Sequence, residues 1–153
     1  MNSASLPLSS RRDILAILCR ASREELAKAW NGLSDPPAAE LVRRPETGLV
    51  MARGRMGGGG APFNFGEVTV TRCVVRLASG EVGFGHVLGA EPERAELVAR
   101  FDALAQSPAH RPYVEDCLLA PLAERLKGED EATRSRTAAT RVSFFTMVRG
   151  EDD

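Results

Sequence analysis

The chain has 153 residues, 43% of them hydrophobic and 27% charged, with a formal net charge of -1. That length suits one domain with a real core, and the composition is that of a soluble globular chain, not a disordered one. The balance of charge excludes bulk attraction to nucleic acid, and no apolar run reaches the roughly 18–20 residues that span a bilayer.

Residues 1–9 read as a loose arm. "MNSASLPLSSRRDIL" has no basic stretch ahead of an apolar one, so it is neither a secretory signal nor an anchor, and the cytoplasm is the expected compartment. Ser10 and Asp13 form a helix-start signal, because hydroxyl and carboxylate can satisfy free backbone N–H groups. Ile14, Leu15, Ile17 and Leu18 follow as one apolar face. A second start stands at Ser22-Arg23-Glu24-Glu25, and Leu26, Ala29, Trp30 and Leu33 continue at helical spacing. Two short helices are expected, about 12–20 and 23–32, meeting near Ala21 and closed at Gly32. Neither has the row of basic and amide residues that reads base edges, which weakens a DNA-reading helix-turn-helix.

Asp35-Pro36-Pro37 suggests a further short helix, about 37–43. Then the character changes. "ETGLVMARGR" (46–55), "EVTVTRCVVRL" (67–77) and "VGFGHVL" (82–88) are rich in branched and apolar residues and read as strands. Ser79-Gly80 marks a turn, so the third strand is antiparallel to the second, and Gly83 and Gly85 either weaken it or admit a close neighbour. From Ala90 to Ser107 lies the clearest helix, with Pro92 in its first turn, Glu93 and Glu96 near its positive end, and Leu97, Val98, Phe101 and Leu104 as its buried stripe. Pro108 and Pro112 break it. Residues 117–141 are helical in part, with Gly128 a weak point, and "RVSFFTMVRG" (141–150) fits a helical or a strand face equally well. The fold class is α+β: short N-terminal helices, a small antiparallel sheet in the middle and C-terminal helices, in one domain.

Cys19, Cys73 and Cys117 are an odd, widely spaced set with no C-x-x-C pair, which argues against a disulfide framework or a structural zinc site. Charge concentrates in the centre: Arg43, Arg44, Arg53, Arg55, Arg72 and Arg76 face only Glu46 and Glu67 between residues 43 and 76. Such a segment can meet an anionic ligand or an acidic partner. It is also what a solvated surface written in arginine looks like, since Lys28 and Lys127 are the only lysines.

Within this basic segment stands "MGGGGAPFNFGE" (56–67). No Gly-Lys-Ser/Thr closes the glycine run and no helix follows it, so it is not a nucleotide-binding P-loop, nor is it a dinucleotide fingerprint. Two readings remain. Gly57, Gly58, Gly59 and Gly60 can form an anion-binding nest flanked by Arg53 and Arg55, with Arg72 returning near it across a hairpin, or they are a flexible hairpin loop. Phe63, Phe65, Phe144 and Phe145 suit either a core or an interface. His86 stands mid-strand where a general acid or base would need a cleft, and reads better as a half-exposed strand residue; His110 reads as a loop residue. Cys73 reads as a buried, inert thiol. Glu46 and Glu67 could hold Mg²⁺ only if strand pairing brings them together. No Ser-His-Asp or metal-ligand spacing is visible.

The block "ETGLVMARGRMGGGGAPFNFGEVTVTRCVVRL" (46–77) resembles the central block of the PhnG family, a subunit of the bacterial carbon–phosphorus lyase core complex. "TRVSFFTMVRGED" (140–152) resembles that family's C-terminal block, and "ILAILCRASREELAKAW" (14–30) fits less specifically. The resemblance implies phosphonate degradation, in which methylphosphonate displaces adenine from ATP to give ribose 1-methylphosphonate 5-triphosphate. It implies an accessory subunit with no catalytic residue and no cofactor or metal of its own. ATP and Mg²⁺ belong to the complex, and the partners are the other core subunits and an ATP-binding-cassette-like protein, with neither nucleic acid nor membrane. Two departures stand out: the family pattern Gly-Gly-Thr-Gly is here Gly57-Gly58-Gly59-Gly60, so no role of a threonine hydroxyl carries over, and Ser143 stands where an acidic residue is common. The competing readings are a stand-alone nucleotide- or phosphonate-binding transferase using the glycine loop, and a pure scaffold.

Overall fold

In the computed structural model, which describes residues 10–56 and 59–140, two short helices precede a three-stranded sheet and further helices follow it. Helix α1 (Arg11–Leu18) starts at Ser10, whose hydroxyl accepts from the Asp13 amide. Helix α2 (Arg23–Asn31) starts with a full capping box: the Ser22 hydroxyl accepts from the Glu25 N–H, and the Glu25 carboxylate accepts from the Ser22 N–H. Two of the helix's orphan donors are thereby satisfied. Both lie within two residues of the expected bounds. At Gly32 the helix does close, but with right-handed backbone; a Cβ there would lie 2.8 Å from the Tyr113 hydroxyl.

The sheet is antiparallel in the order β1-β2-β3, with β1 (Ala39–Arg55), β2 (Pro62–Leu77) and β3 (Val82–Leu88). The expected helix over 37–43 does not exist. Residues 39–43 are strand, Ala39 opposite Leu77 and Leu41 opposite Val75, and the Ala38 carbonyl accepts from the Ala78 N–H. An isolated helical turn repays its nucleation poorly, whereas β2 offers this segment a ready ladder. Pro45 is accommodated because the register shifts between Arg43 and Glu46 on an edge strand. Gly80 closes the β2–β3 hairpin with φ of 107°, a conformation that costs glycine little.

Helix α3 (Pro92–Gln106) packs on one face of the sheet, and α1, α2 and the helical turn at 111–114 pack on α3. Gly83 and Gly85 make this approach possible. A Cβ on Gly85 would overlap the Ala95 carbonyl, and one on Gly83 would lie 2.6 Å from the Ala103 N. Backbone therefore meets backbone, and the helix side of the contact is a stripe of small residues, Ala95, Ala99 and Ala103, all buried. Val98, Phe101 and Leu104 are buried as expected, and Leu97 is partly exposed. Phe101 takes the edge of Trp30 at a centroid distance of 6.0 Å.

After α3 come a single turn α4 (Arg111–Val114), a π-helical turn (Glu115–Leu119) and α5 (Ala120–Ala139). The wider turn has a cause. Pro121 cannot donate an N–H, and its ring would press on the Cys117 carbonyl in a regular helix; instead the Ala120 N–H reaches back to Glu115. Gly128 does not interrupt α5, but residues 128–140 are all exposed, so the helix leaves the body there. The expected arm at residues 1–9 and the ambiguous segment 141–150 lie outside the described residues.

Two buried polar groups tie the layers together. Asp102 on α3 is 0% exposed and accepts from Arg11 Nε at 3.0 Å, Arg11 Nη2 at 2.6 Å and the Phe84 N–H at 2.8 Å, linking α1, α3 and β3. Thr71 Oγ1 donates to the Gly89 carbonyl at 2.6 Å, accepts from the Glu91 N–H at 3.0 Å and meets Thr47 Oγ1 at 3.0 Å. All the hydrogen bonds of both side chains go to structural partners.

Candidate functional site

The last three-stranded rung is Gly48–Val70–Leu88. Beyond it β1 and β2 continue with no third strand among the described residues, as a two-stranded ribbon of residues 49–55 and 62–69. At about 3.3 Å per residue the ribbon reaches roughly 23 Å past the body. None of its described residues is buried: Leu49 is 63% exposed, Met51 52% and Phe65 62%. Apolar side chains lie on both faces, because Val50 pairs with Val68 on one and Leu49 and Met51 lie on the other. Between Ala52 and Arg53 the register shifts, leaving Phe65 as the extra residue. Its ring folds over Gly54, where an added Cβ would touch it at 3.3 Å, and meets Phe63 edge-on at 6.3 Å.

The ribbon tip carries the candidate anion site. Arg53 and Arg55 share one face of β1, opposite Asn64 and Pro62, and with Gly54 and Pro62 they line a shallow hollow of about 330 Å³. Met56 and Gly60 close the loop through the Gly60 N–H and the Met56 carbonyl at 3.0 Å, and Arg55 Nη1 donates to the Gly60 carbonyl at 2.9 Å. Gly57 and Gly58 lie outside the described residues, as do Phe144 and Phe145. The ribbon's ion pairs lie at its base, where Glu46 sits 3.7 Å from Arg72 and 3.9 Å from Arg43; among the described residues none joins Arg53 or Arg55 to a carboxylate.

That register corrects two expectations. Arg72 stands opposite Glu46, nine positions along β1 from Arg55, so it does not return to the glycine loop. Glu67 stands opposite Met51, about 16 Å along the strand from Glu46 and on the other face, so the two carboxylates do not make a Mg²⁺ pair. Among the described residues no group of three or more His, Cys, Asp or Glu side chains could hold a metal ion. The described residues set two guanidinium groups, Arg53 and Arg55, beside the hollow at the tip and bring no pair of carboxylates together there for a magnesium ion.

His86 alternates out of the sheet between Gly85 and Val87 and is exposed, while His110 precedes α4 and meets the Ser107 hydroxyl at 3.2 Å. Cys73 is buried, and desolvation pushes its thiol up to about 11, so it is a protonated, unreactive group near neutrality. Burial raises Cys19 as well. A second charged cluster joins α2 to α5: Arg125 holds Glu25 at 2.8 Å and Glu129 at 2.6 Å, and Arg20 holds Asp130 at 3.0 Å. Arg94 donates to the Ala21 and Cys19 carbonyls at 2.8 and 2.7 Å, fixing the corner between α1 and α2. The sequence held no periodic signal for the ties that Asp102, Thr71 and Arg94 make between elements, because those partners are 18 to 91 residues away. No described helix is long and apolar enough to cross a membrane.

The family model for the phosphonate metabolism protein PhnG matches residues 9–150. The chain belongs to the PhnG family. A similar PhnG-family protein is the alpha-D-ribose 1-methylphosphonate 5-triphosphate synthase subunit PhnG of Rhizobium meliloti (strain 1021), 55% identical over 145 residues, which cover 95% of this chain and 92% of that relative. The match runs through both strands of the ribbon, so the glycine loop and its flanking arginines are part of what the family model covers.

Proposed function

We propose that this chain is a non-catalytic subunit of a ribose 1-methylphosphonate 5-triphosphate synthase, within a cytoplasmic carbon–phosphorus lyase core complex. What supports the reading most is the 55% identity, over nearly the full length of both chains, to a protein named as a subunit of that synthase. The overall reaction joins a methylphosphonate oxygen to C1′ of ATP and releases adenine. The nucleosidase chemistry resides in another subunit, and an ATP-binding-cassette-like protein acts alongside. The part of this chain is to shape or dock the site, and Arg53 and Arg55 are its contact with an anionic phosphate or phosphonate.

The test compares the purified chain with the complete complex, each given ATP, Mg²⁺ and methylphosphonate, with adenine release followed by chromatography. The chain alone releases no adenine, the complex does, and a complex assembled without this chain does not. Adenine release by the pure chain refutes the reading in favour of a stand-alone transferase. Undiminished release by the complex lacking it refutes the participation of this chain.

A further inference from the structure

A two-stranded ribbon with no third strand and no helix beneath it is marginal in water. This one continues for seven residues of β1 past the last three-stranded rung, and every described side chain on it is exposed or only partly covered. Its faces carry Leu49, Val50, Met51, Phe63 and Phe65, each more than 40% exposed. Beside its root, on the outer face of the sheet that no described helix covers, Leu88 is 68% and Phe84 44% exposed. Scattered exposed apolar residues need no explanation, but a contiguous run on both faces of a projecting element does.

We infer that this ribbon is an arm that inserts into an apolar, acid-rimmed cleft on a different subunit of the synthase. The inference rests on the subunit reading above. Three observations favour that occupant. First, the size is right: a sleeve around a ribbon about 23 Å long and about 10 Å across has a wall on the order of 800 Å², what a standard interface takes from each partner. Second, the apolar residues lie on both faces, so a flat surface satisfies half of them and a cleft satisfies all. Third, the balance of charge is positive, although Glu67 also stands on the ribbon. Edge strand β1 carries Arg43, Arg44, Arg53 and Arg55 against Glu40 and Glu46. Pairing the β1 edges of two copies would set these arginines against one another, whereas carboxylates at a cleft rim complement them. The backbone groups along both edges of the ribbon, which pair with no other described strand, add main-chain hydrogen bonds to such a contact.

The experiment co-expresses the full-length chain, tagged, with the other synthase subunits and measures their recovery in stoichiometric complex. Two variants spare the core: Val50→Ser with Phe65→Ser removes apolar surface of the arm, and Arg43→Glu with Arg44→Glu reverses charge on the exposed edge of β1 that leads into it. Circular dichroism of each free variant checks that the body keeps its helices, and amide hydrogen exchange of the wild-type complex reads protection along residues 49–55 and 62–69. The expected result is at least a ten-fold loss of partner recovery for each variant and strong protection of ribbon amides in the complex only. Full recovery with either double variant, or ribbon amides that exchange as fast in the complex as in the free chain, overturns the arm. If the wild-type chain itself recovers no partner, the subunit reading fails and the arm with it, a result separable from variant-specific loss. A free chain that sediments as an arm-dependent dimer, or that binds a 20-base-pair DNA duplex through the ribbon arginines, overturns the choice of occupant.

Discussion

Replacing Arg11 by alanine tests the reasoning that holds the layers together. Asp102 is fully buried, and two of the three hydrogen bonds it accepts come from Arg11. Removing one partner of a buried ion pair typically costs about 3–5 kcal/mol, because the other charge stays desolvated. The Arg11 side chain is 41% exposed, so its loss admits water toward the carboxylate, and the Phe84 N–H still donates. The lower end, about 3 kcal/mol, is therefore expected, which in a domain of this size lowers Tm by roughly 6–12 °C. Asp102→Leu behaves differently: Arg11 turns to solvent, and the main loss is the orphaned Phe84 N–H, about 1–3 kcal/mol. The double variant Arg11→Ala with Asp102→Leu removes both charges at once and should lose at least about 1 kcal/mol less than the two single variants together. Urea denaturation of the full chain, followed by Trp30 fluorescence and far-ultraviolet circular dichroism, measures all four corners of the cycle. A loss below about 1 kcal/mol for Arg11→Ala, with an unchanged denaturant slope, would place the pair among screened surface contacts. Additive single substitutions would refute the coupling.

Gly85→Ala should cost about 3 kcal/mol or more, because the new methyl overlaps the Ala95 carbonyl and only a shift of α3 off β3 relieves it; normal thermal stability of the variant would contradict the backbone contact. Burial alone would raise Glu25, but the Ser22 N–H and Arg125 outweigh it and hold the carboxyl below its ordinary 4.5. Its contribution is therefore present above about pH 4.5 and lost as pH falls through the lowered value, so Glu25→Gln should cost about 0.5–1 kcal/mol at pH 7 and progressively less below pH 4, read from urea midpoints across pH. In the complete synthase, Arg53→Ala with Arg55→Ala should raise the apparent KM for ATP or methylphosphonate at least ten-fold, the weight of one charge-assisted contact of about 1.5–3 kcal/mol, while Arg72→Ala, distant and paired with Glu46, leaves KM unchanged. Equal kinetics in the double variant and wild type would remove the anion role.

Much of the fold was legible because its signals are local. The capping residues Ser10 and Ser22, the turn at Gly80, Pro92 in the first turn of α3 and the apolar spacing of Val98, Phe101 and Leu104 each act within one or two turns of chain, and each lies where the pattern puts it. Where the reading failed, a distant partner decided. Residues 39–43 follow a helix-start pattern at Asp35-Pro36-Pro37 and become strand because β2 lies beside them. Gly83 and Gly85 signalled that something approaches closely, but not that it is the backbone of α3. The site was half legible. Arg53 and Arg55 share a face by simple alternation, whereas Arg72 and the pair Glu46 and Glu67 depended on a register set by shifts that composition does not announce.

The sequence by itself determined the fold class, the elements with strong local signals, the basic centre with its glycine loop and, through two long blocks of distinctive residues, the family. Those follow from interactions between near neighbours in the chain, or from the identity of the residues alone. Only the tertiary structure decided that α3 is buried on its alanine side as well, that Asp102 and Thr71 are the polar ties between layers, and that the central hairpin runs on past the sheet as a bare ribbon. Its reach depends on where β3 stops pairing, at Leu88, and its exposure on where α3 ends its cover. Both are relations between segments far apart in the chain, and hydrophobic periodicity in β1 and β2, apolar on both faces, would have read the same for a buried strand.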